Sequence, residues 1–274
     1  MNRVCFVCEN GPMPTPNLEF TGERLVPGKV DIQLLEEHLA RYQYAVRILK
    51  AHLPEGARVV DLACGAGYGT RMLAESGFDA LGLDIGADAI DYAQQVYGSL
   101  EGLKGRLAYA LSDVTHTGLS EGTFPGITAF EILEHLEHPE ELLQEIRRLL
   151  APGGIAVVST PHKGVYQAGG ENHFHFQEYT LPEFKALLEE AFPDWTVELV
   201  GQRKIGMGGL PAVAAMRKRY IALKRALGIG PILRKRMAEQ DPNSSFLDRP
   251  HPYLFTPERV SGAEYFVATL RRPA

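Results

Sequence analysis

The stretch that decides the fold is Val59-Val60-Asp61-Leu62-Ala63-Cys64-Gly65-Ala66-Gly67-Tyr68-Gly69-Thr70. Its β-branched start predicts a short strand, and the glycines that follow predict a tight turn leading into a helix. A second hydrophobic run, 80–85, carries an acid near its end, Asp84. Ligands of parallel sheets bind at the carboxyl ends of the strands, so the turn and both acids should line one nucleoside pocket there.

The position of Asp61 distinguishes this loop from a dinucleotide-binding loop. In the dinucleotide fingerprint, helix amides face a pyrophosphate, whereas here an acid precedes the first glycine by four residues. An acid beside the glycines suits an ammonium group rather than a phosphate. Asp84 is placed to accept hydrogen bonds from both ribose hydroxyls. Asp113 is placed to accept one from an adenine amino group, and the amide of Val114 can donate to the ring.

Strands and helices alternate over most of the chain. The hydrophobic patterns predict strands at 58–62, 79–84, 107–111, 126–130, 155–159, 196–201 and 264–270. They predict helices at 31–52, 67–76, 88–97, 139–150 and 181–191. The strand 155–159 is nearly all apolar, as is typical of a strand covered on both faces. This order predicts an α/β fold, a mostly parallel sheet with helices on both faces.

The same patterns divide the chain into three parts. Residues 1–54 form an N-terminal arm and a cap helix, and 55–201 with 261–274 form the nucleoside-binding domain. Residues 202–260 are an insertion before the last strand, expected to be a helical cap or lid. Its basic clusters are either the solvated face of two helices or a patch for an anionic headgroup or phosphate, which would allow peripheral membrane contact.

Composition limits the class of protein. The 274 residues are 45% hydrophobic, enough for one well-buried domain with an appendage. No apolar run approaches the roughly 18 residues of a membrane span, and the N-terminus lacks a signal-peptide core, so a cytoplasmic protein is expected. The net charge of −6 argues against a general nucleic-acid binder.

Cys5 and Cys8 lack the second ligand pair of a structural zinc site, and Cys64 should pack as a small apolar group.

Five motifs, in order and in register, resemble those of class I S-adenosylmethionine-dependent methyltransferases. They are 59–69, 82–85, 112–114, 131–136 and 150–154, and the resemblance covers roughly 55–200 and 265–271. It implies a Rossmann-like sheet of seven strands, the last antiparallel and inserted between strands five and six. It implies S-adenosylmethionine as cofactor, with Asp84 at the ribose, Asp113 at the adenine, and Ala63 and Gly65 at the methionyl end. The complete set expected to bind the cofactor is Arg41, Tyr42, Asp61, Ala63, Gly65, Gly67, Asp84, Ile85, Asp113 and Val114. The sequence departs from the family at Phe124-Pro125, where Phe-Asp is frequent, so the start of the fourth strand should differ.

The candidate acceptor site follows the fourth strand. Glu131, Glu134 and His135 share a face if this segment turns helically, and His175 comes from the loop after the fifth strand. These four side chains would suit a divalent cation such as Mg²⁺. The pattern resembles metal-assisted small-RNA 2′-O-methyltransferases, and its first half also resembles ubiquinone-biosynthesis O-methyltransferases. Superfamily members without a known metal share the motif, which leaves two other roles open: His135 as general base with Glu131 near the cofactor, or a structural role.

The N-terminal segment Thr21-Gly22-Glu23-Arg24-Leu25-Val26-Pro27, with the later Glu37-His38-Leu39-Ala40-Arg41-Tyr42, resembles bacterial methyltransferases that act on sugars and cell-surface glycans. Two interpretations are open. In the first, Arg24 and Arg41 only pair with surface acids. In the second, Arg41 and Tyr42 cover the methionine end of the cofactor while Arg24 faces the acceptor. The second interpretation is favoured, because an Arg-Tyr pair in an amphipathic stripe combines an apolar body with a polar tip.

The leading hypothesis is therefore methylation of a hydroxyl on a sugar, glycan or similar small molecule, with His135 or a divalent metal handling the proton. Methylation of RNA 3′ ends, and N- or C-methylation of a small metabolite, are alternatives because the fold does not determine the acceptor. A cofactor-binding regulator without chemistry is the non-enzymatic alternative. The sequence leaves the oligomeric state open.

Overall fold

The computed structural model describes residue 18 and residues 24–30, 32–165, 174–204, 245–247, 251–258 and 260–274. Cys5, Cys8, the motif residues 21–23 and the basic clusters of the insertion lie outside this part. The helical cap predicted for 202–260 therefore falls largely outside the described residues. No helix in the described ranges combines the length and the apolar character needed to cross a bilayer.

The elements follow the predicted alternation. The strands are β1 Arg58–Leu62, β2 Asp79–Asp84, β3 Leu107–Leu111, β4 Phe124–Phe130, β5 Leu150–Pro161, β6 Thr196–Lys204, β7 Tyr253–Thr256 and β8 Tyr265–Arg271. The helices are α1 Ile32–His52, α2 Tyr68–Glu75, α3 Ala87–Tyr97, α4 Pro139–Leu149 and α5 Leu181–Ala191, with short 3₁₀ turns at Leu133–His135 and Val260–Gly262.

The sheet confirms the predicted fold class. Its strand order is β3-β2-β1-β4-β5-β8-β6-β7, with β1 to β5 parallel to one another. Strand β8 is antiparallel and lies between β5 and β6, as expected. An eighth strand, β7, extends the edge beyond β6 and comes from the insertion, where only a cap was predicted. Four residues in a Pro-rich stretch carry too short a pattern to predict a strand.

The start of β4 is irregular, as its departure from the family pattern suggested. The pairing with β5 shifts register between Phe124 and Gly126, so Pro125 lies at the irregularity. A proline has no N–H to donate to a sheet, and bulges are among the few places in a sheet where it is tolerated.

Each face of the sheet is covered by its own group of helices. On one face, α4 and α5 contribute a core that includes Ile146 and Phe184; on the other, α1, α2 and α3 contribute a core that includes Leu39 and Met72. Strand β5 serves both, because Val157 belongs to one core and Val158 to the other, and successive strand side chains point to opposite faces. The strands are thereby held with their carboxyl ends at one edge, where the candidate site lies.

Candidate functional site

A cavity of about 430 Å³, counting its open mouth, lies at the carboxyl ends of β1 and β4. The glycine-rich loop, residues 63–66, forms one wall, and Phe130 and Glu131 at the end of β4 form another. The N-terminal segment and α1 close it with Arg24, Leu25, His38 and Tyr42, and Tyr68 at the start of α2 completes the lining.

Backbone strain is concentrated at this cavity. Ala63 (φ 59°) and Glu131 (φ 51°) are the non-glycine residues with positive φ in the part of the chain that the structure describes, and both line the cavity. Such a conformation costs about 1–3 kcal/mol and persists where the surroundings enforce it, as at binding sites. Gly67 (φ 83°) is required for a further reason, because a Cβ there would lie 2.5 Å from the Cβ of Ala93. The loop therefore follows a path that its neighbours determine.

Asp61 lies beneath the loop and not in the cavity wall. It is fully buried, and its two oxygens accept hydrogen bonds from the hydroxyls of Tyr42 (3.1 Å to each oxygen), Thr70 (2.7 Å) and Thr128 (2.7 Å). Burial raises its pKa to about 6, although the three hydroxyls act in the opposite direction. The direct contact to an ammonium group predicted for Asp61 is thus not the role that this position gives it. Its carboxylate instead joins α1, α2 and β4 under the glycine-rich loop.

Asp84 holds the loop from the side where a ribose is expected. Its Oδ2 accepts from the amide of Gly65 and its Oδ1 from the amide of Gly86, both at 2.8 Å. Arg24 also reaches this position, with its guanidinium 2.9 Å from Asp88 and 4.0 Å from Asp84. The structure therefore places Arg24 at the cavity beside Asp84, the carboxylate expected to bind the ribose, because the acids that attract Arg24 follow β2.

The residues predicted for the adenine follow β2 and β3. Asp113 accepts from the amide (2.9 Å) and the hydroxyl (2.8 Å) of Thr115, and these bonds lower its pKa. Its carboxylate is therefore ionised at neutral pH and can accept from an amino group. Ile85 is 73% exposed and offers apolar surface to a base, while Val114 is buried. The positions of Asp113 and Val114 are compatible with the adenine-binding roles predicted for them, and Ile85 was predicted to bind the cofactor without a specified part.

Arg41 and Tyr42 are adjacent on α1 and take different positions. Tyr42 lines the cavity while its hydroxyl donates to Asp61. Arg41 is fully buried behind the cavity, where Nη1 donates to Oε1 of Gln202 at 2.8 Å and the guanidinium lies 4.1 Å from the ring centre of Tyr265. Its Nη2 is 3.7 Å from Glu131 and, like Nε, has no hydrogen-bond partner among the described residues. Arg41 thus places a positive charge behind Glu131 rather than in direct contact with the cavity.

The two carboxylates after β4 diverge. Oε1 of Glu131 accepts from Ser159 at 2.6 Å, so this side chain faces the cavity and Arg41. Glu134 is buried, and its Oε2 accepts a hydrogen bond from the hydroxyl of Thr160 at 3.0 Å. Burial, and then the charge of Glu131, raise the pKa of Glu134 well above its usual value. Glu131 precedes the 3₁₀ turn at residues 133–135 and has a positive φ of 51°, so Glu131 and Glu134 do not belong to one continuous helix and do not share a helical face.

Glu134, His135 and His175 form the candidate metal centre, which we call the Glu-His-His cluster. One ligand atom from each lies within 4.8 Å of the others, and the two rings are 4.7 Å apart. Glu131 was predicted as a fourth member, but among the residues described here it is not part of the cluster. Its oxygens are directed to Ser159 and Arg41 instead.

The outer hydrogen bonds of both imidazoles fit metal ligation. Nδ1 of His135 lies 3.2 Å from the carbonyl oxygen of Phe174, and Nδ1 of His175 lies 3.0 Å from Oε1 of Glu178. A carbonyl or a carboxylate can only accept, so each Nδ1 carries the proton and each Nε2 of a neutral ring keeps its lone pair. Metal-binding histidines are held in this way, and a cation would also offset the cost of burying Glu134.

Comparison with known proteins agrees with this geometry. The profile of a family described as "Methyltransferase domain" matches residues 36–200. A Mycolicibacterium smegmatis protein described as "probable S-adenosylmethionine-dependent methyltransferase" is 30% identical over 182 residues, which are 64% of this chain and 65% of that protein. A ubiquinone biosynthesis O-methyltransferase of Psychrobacter cryohalolentis is 32% identical over 106 residues, 38% of this chain and 41% of the relative. The chain therefore spans less than two thirds of the length of these relatives.

Solved structures share the fold. The methyltransferase domain of the bacterial protein CtHen1-C superimposes with a TM-score of 0.56 at 16% identity, over 87% of this chain and all of that domain. At this identity the likeness concerns the fold alone. Together with the strand order and the match over residues 36–200, it shows that the chain belongs to the methyltransferase domain family, with the Rossmann-like class I fold that binds S-adenosylmethionine.

Proposed function

We propose that the protein is an S-adenosylmethionine-dependent O-methyltransferase that acts on a hydroxyl of a sugar, glycan or similar small molecule. The observation that carries the proposal is the position of Glu131. Its carboxylate lines the cofactor cavity, and it lies near enough to the Glu-His-His cluster for its charge to add to the larger effect of burial in raising the pKa of Glu134. A donor cavity and a cluster able to bind oxygen ligands through a cation are therefore adjacent.

The donor side of the proposal is supported by the loop. Asp84 and the amides around Gly65 offer groups for a ribose, and the exposed Ile85 offers an apolar surface for the adenine. Glu131, with Arg41 behind it, lies at the far end of the same cavity, where the methionyl end and the transferable methyl group are expected. A sulfonium methyl group needs little activation, so alignment in this cavity supplies much of the catalysis.

The acceptor side needs more chemistry, because a hydroxyl is a poor nucleophile at neutral pH. A divalent cation in the Glu-His-His cluster would lower the pKa of an acceptor hydroxyl and hold two neighbouring oxygens of a sugar or quinol. Without a cation, His135 can act as a general base, since its Nδ1 is committed to the carbonyl of Phe174 and its Nε2 can take a proton. The sugar assignment is supported by the motifs that contain Arg24, which lines the cavity, and Arg41, which is buried behind Glu131.

Methylation of the 3′ end of an RNA is the second candidate function. The Glu-His-His cluster favours it, since a terminal ribose offers the same pair of vicinal hydroxyls to a cation. The net charge of −6 disfavours it, because RNA binding draws its affinity from phosphate neutralisation.

The experiment is transfer of a tritiated methyl group from S-adenosylmethionine to a panel of saccharides, glycolipids, quinols and short RNAs. We expect label in a saccharide hydroxyl, loss of labelling with a chelator, and recovery with Mg²⁺ or Mn²⁺. Label found only in RNA, or in nitrogen or carbon acceptors, would contradict the proposed acceptor.

A pair of histidine variants separates the two proton-handling roles. His175→Ala removes a cluster ligand, while His138→Ala removes an exposed histidine at the start of α4 and is the matched control. We expect His175→Ala to lose bound metal by elemental analysis and to lose most activity. Activity that survives both chelation and His175→Ala would rule out a metal-assisted role for the cluster.

A further inference from the structure

His38 is the cavity residue for which neither the sequence motifs nor the proposed cluster provides a role. It lies on α1, four residues before Tyr42, and its half-buried ring lines the cavity with Gly65 and Glu131. Helix α1 is held in place at the two following contacts, Arg41 to Gln202 and Tyr42 to Asp61. The imidazole is thus presented to the cavity from a rigid element.

The ring of His38 makes no hydrogen bond with any described residue. Burial, and then the nearby charge of Arg41, hold its pKa well below the usual value for histidine. A neutral imidazole keeps one ring nitrogen with a lone pair at physiological pH. His38 therefore carries a proton acceptor into the cavity without a hydrogen-bond partner among the described residues.

The other polar groups of the cavity are committed elsewhere. The hydroxyl of Tyr42 donates to Asp61, and Glu131 accepts from Ser159 while facing Arg41. Burial raises the pKa of both the Tyr68 hydroxyl and the Cys64 thiol, so neither is ionised at neutral pH. The remaining charged group, Arg24, is a cation paired with Asp88 and has no proton-accepting ability.

We propose, on the basis of the methyl transfer proposed above, that His38 is the general base of the reaction. As the acceptor oxygen attacks the methyl carbon, the new O–C bond forms and the S–C bond breaks, and its electron pair stays on sulfur as the sulfonium becomes a thioether. The proton of the acceptor hydroxyl passes to a ring nitrogen of His38 and then to solvent at the cavity mouth. The Glu-His-His cluster, whose members do not line the cavity, binds and orients the acceptor.

This assignment is tested by His38→Gln, which keeps a polar side chain but removes the base, with His52→Gln as the matched control. His52 is an exposed histidine at the end of the same helix, with its Nδ1 against the carbonyl of Ile48. We expect kcat of His38→Gln to fall by about 100- to 10,000-fold. The affinity for S-adenosylmethionine, measured by calorimetry, should remain within about twofold, and His52→Gln should match the unmodified protein. His38→Ala should recover part of its activity when imidazole is added.

Two further readings separate this assignment from the proposed function. In the unmodified protein, kcat/KM should rise with pH through a pKa below 6.5, and this limb should be absent in His38→Gln. An unchanged kcat in His38→Gln would overturn the role of His38 as the base and leave the proposed function intact. If kcat is retained but S-adenosylmethionine binds more weakly, His38 instead contacts the methionyl end of the cofactor. An unmodified protein that labels no hydroxyl would overturn the proposed function and the base together.

Discussion

Replacing Asp61 by asparagine should change how the stability of the protein depends on pH. The carboxylate is fully buried and accepts from three hydroxyls, yet burial is the larger effect and raises its pKa from 3.8 to about 6. Asparagine has nearly the same shape, and the three hydroxyls can rotate to meet its amide. The substitution therefore removes the titration while disturbing the packing little.

The sign follows from proton binding. Between the two pKa values, the folded state binds more protons at Asp61 than the unfolded state does. The stability that protonated Asp61 contributes is complete below about pH 3.8 and is lost as the pH rises through about 6. A shift of about 2 pKa units amounts to about 3 kcal/mol, of which about 1 kcal/mol falls between pH 5 and pH 7.5.

The assay is urea unfolding of the unmodified protein and Asp61→Asn at several pH values across this window. We expect the free energy of unfolding of the unmodified protein to fall relative to that of Asp61→Asn by about 1 kcal/mol from pH 5 to pH 7.5. Asp79→Asn is the matched control, because Arg106 lowers the pKa of Asp79 and the carboxylate is ionised throughout this window in both states. The difference between the unmodified protein and Asp79→Asn should therefore not change with pH.

A constant difference for Asp61→Asn, or a change in the opposite direction, would refute the reasoning. A constant difference would mean that the hydroxyls of Tyr42, Thr70 and Thr128 outweigh the cost of burial and hold the pKa of Asp61 at or below its usual value.

Three further substitutions test the geometry of the cavity. In Gly69→Ala, the new Cβ would lie 1.9 Å from the ring of Tyr42, so the ring must move. We expect the free energy of unfolding in urea to fall by about 1–3 kcal/mol and S-adenosylmethionine to bind more weakly. An unchanged unfolding midpoint would contradict this expectation. Tyr42→Phe removes one hydroxyl donor from buried Asp61 and should cost about 1 kcal/mol at neutral pH, measured in the same way; equal stability would show that the bond contributes nothing. Asp84→Asn weakens the group that accepts hydrogen bonds from the Gly65 amide and from the ribose hydroxyls. It should raise the Kd for S-adenosylmethionine, measured by calorimetry, by about 10- to 100-fold. Unchanged affinity would exclude Asp84 from the ribose site.

Much of the fold was predictable because its signals are local. The strand that ends near Asp61, the turn at Gly65 and Gly67, and the strand that ends at Asp84 are each encoded within a dozen residues. Alternation of such units leaves few arrangements other than a doubly covered parallel sheet. The position of β8 between β5 and β6 was inferred from resemblance to a family rather than from its residues.

The edge of the sheet and the side-chain partners were not predictable in this way. Strand β7 is only four residues long, and it pairs with β6 although some fifty residues separate them. Arg41 donates a hydrogen bond to Gln202, which lies 161 positions later in the chain. No local pattern connects an arginine on a helix to a glutamine on a distant strand. These pairings depend on which elements are neighbours in space.

The sequence by itself determined the α/β class and the carboxyl-edge location of the cavity, because periodicity and glycine placement act over short distances. Only the tertiary structure decided what each acid does there. It buried Asp61 under hydroxyls from three elements, turned Glu131 toward Ser159 and away from Glu134, and presented His38 to the cavity. Burial and partners set the ionisation and direction of a side chain, and both come from residues that are remote in the chain.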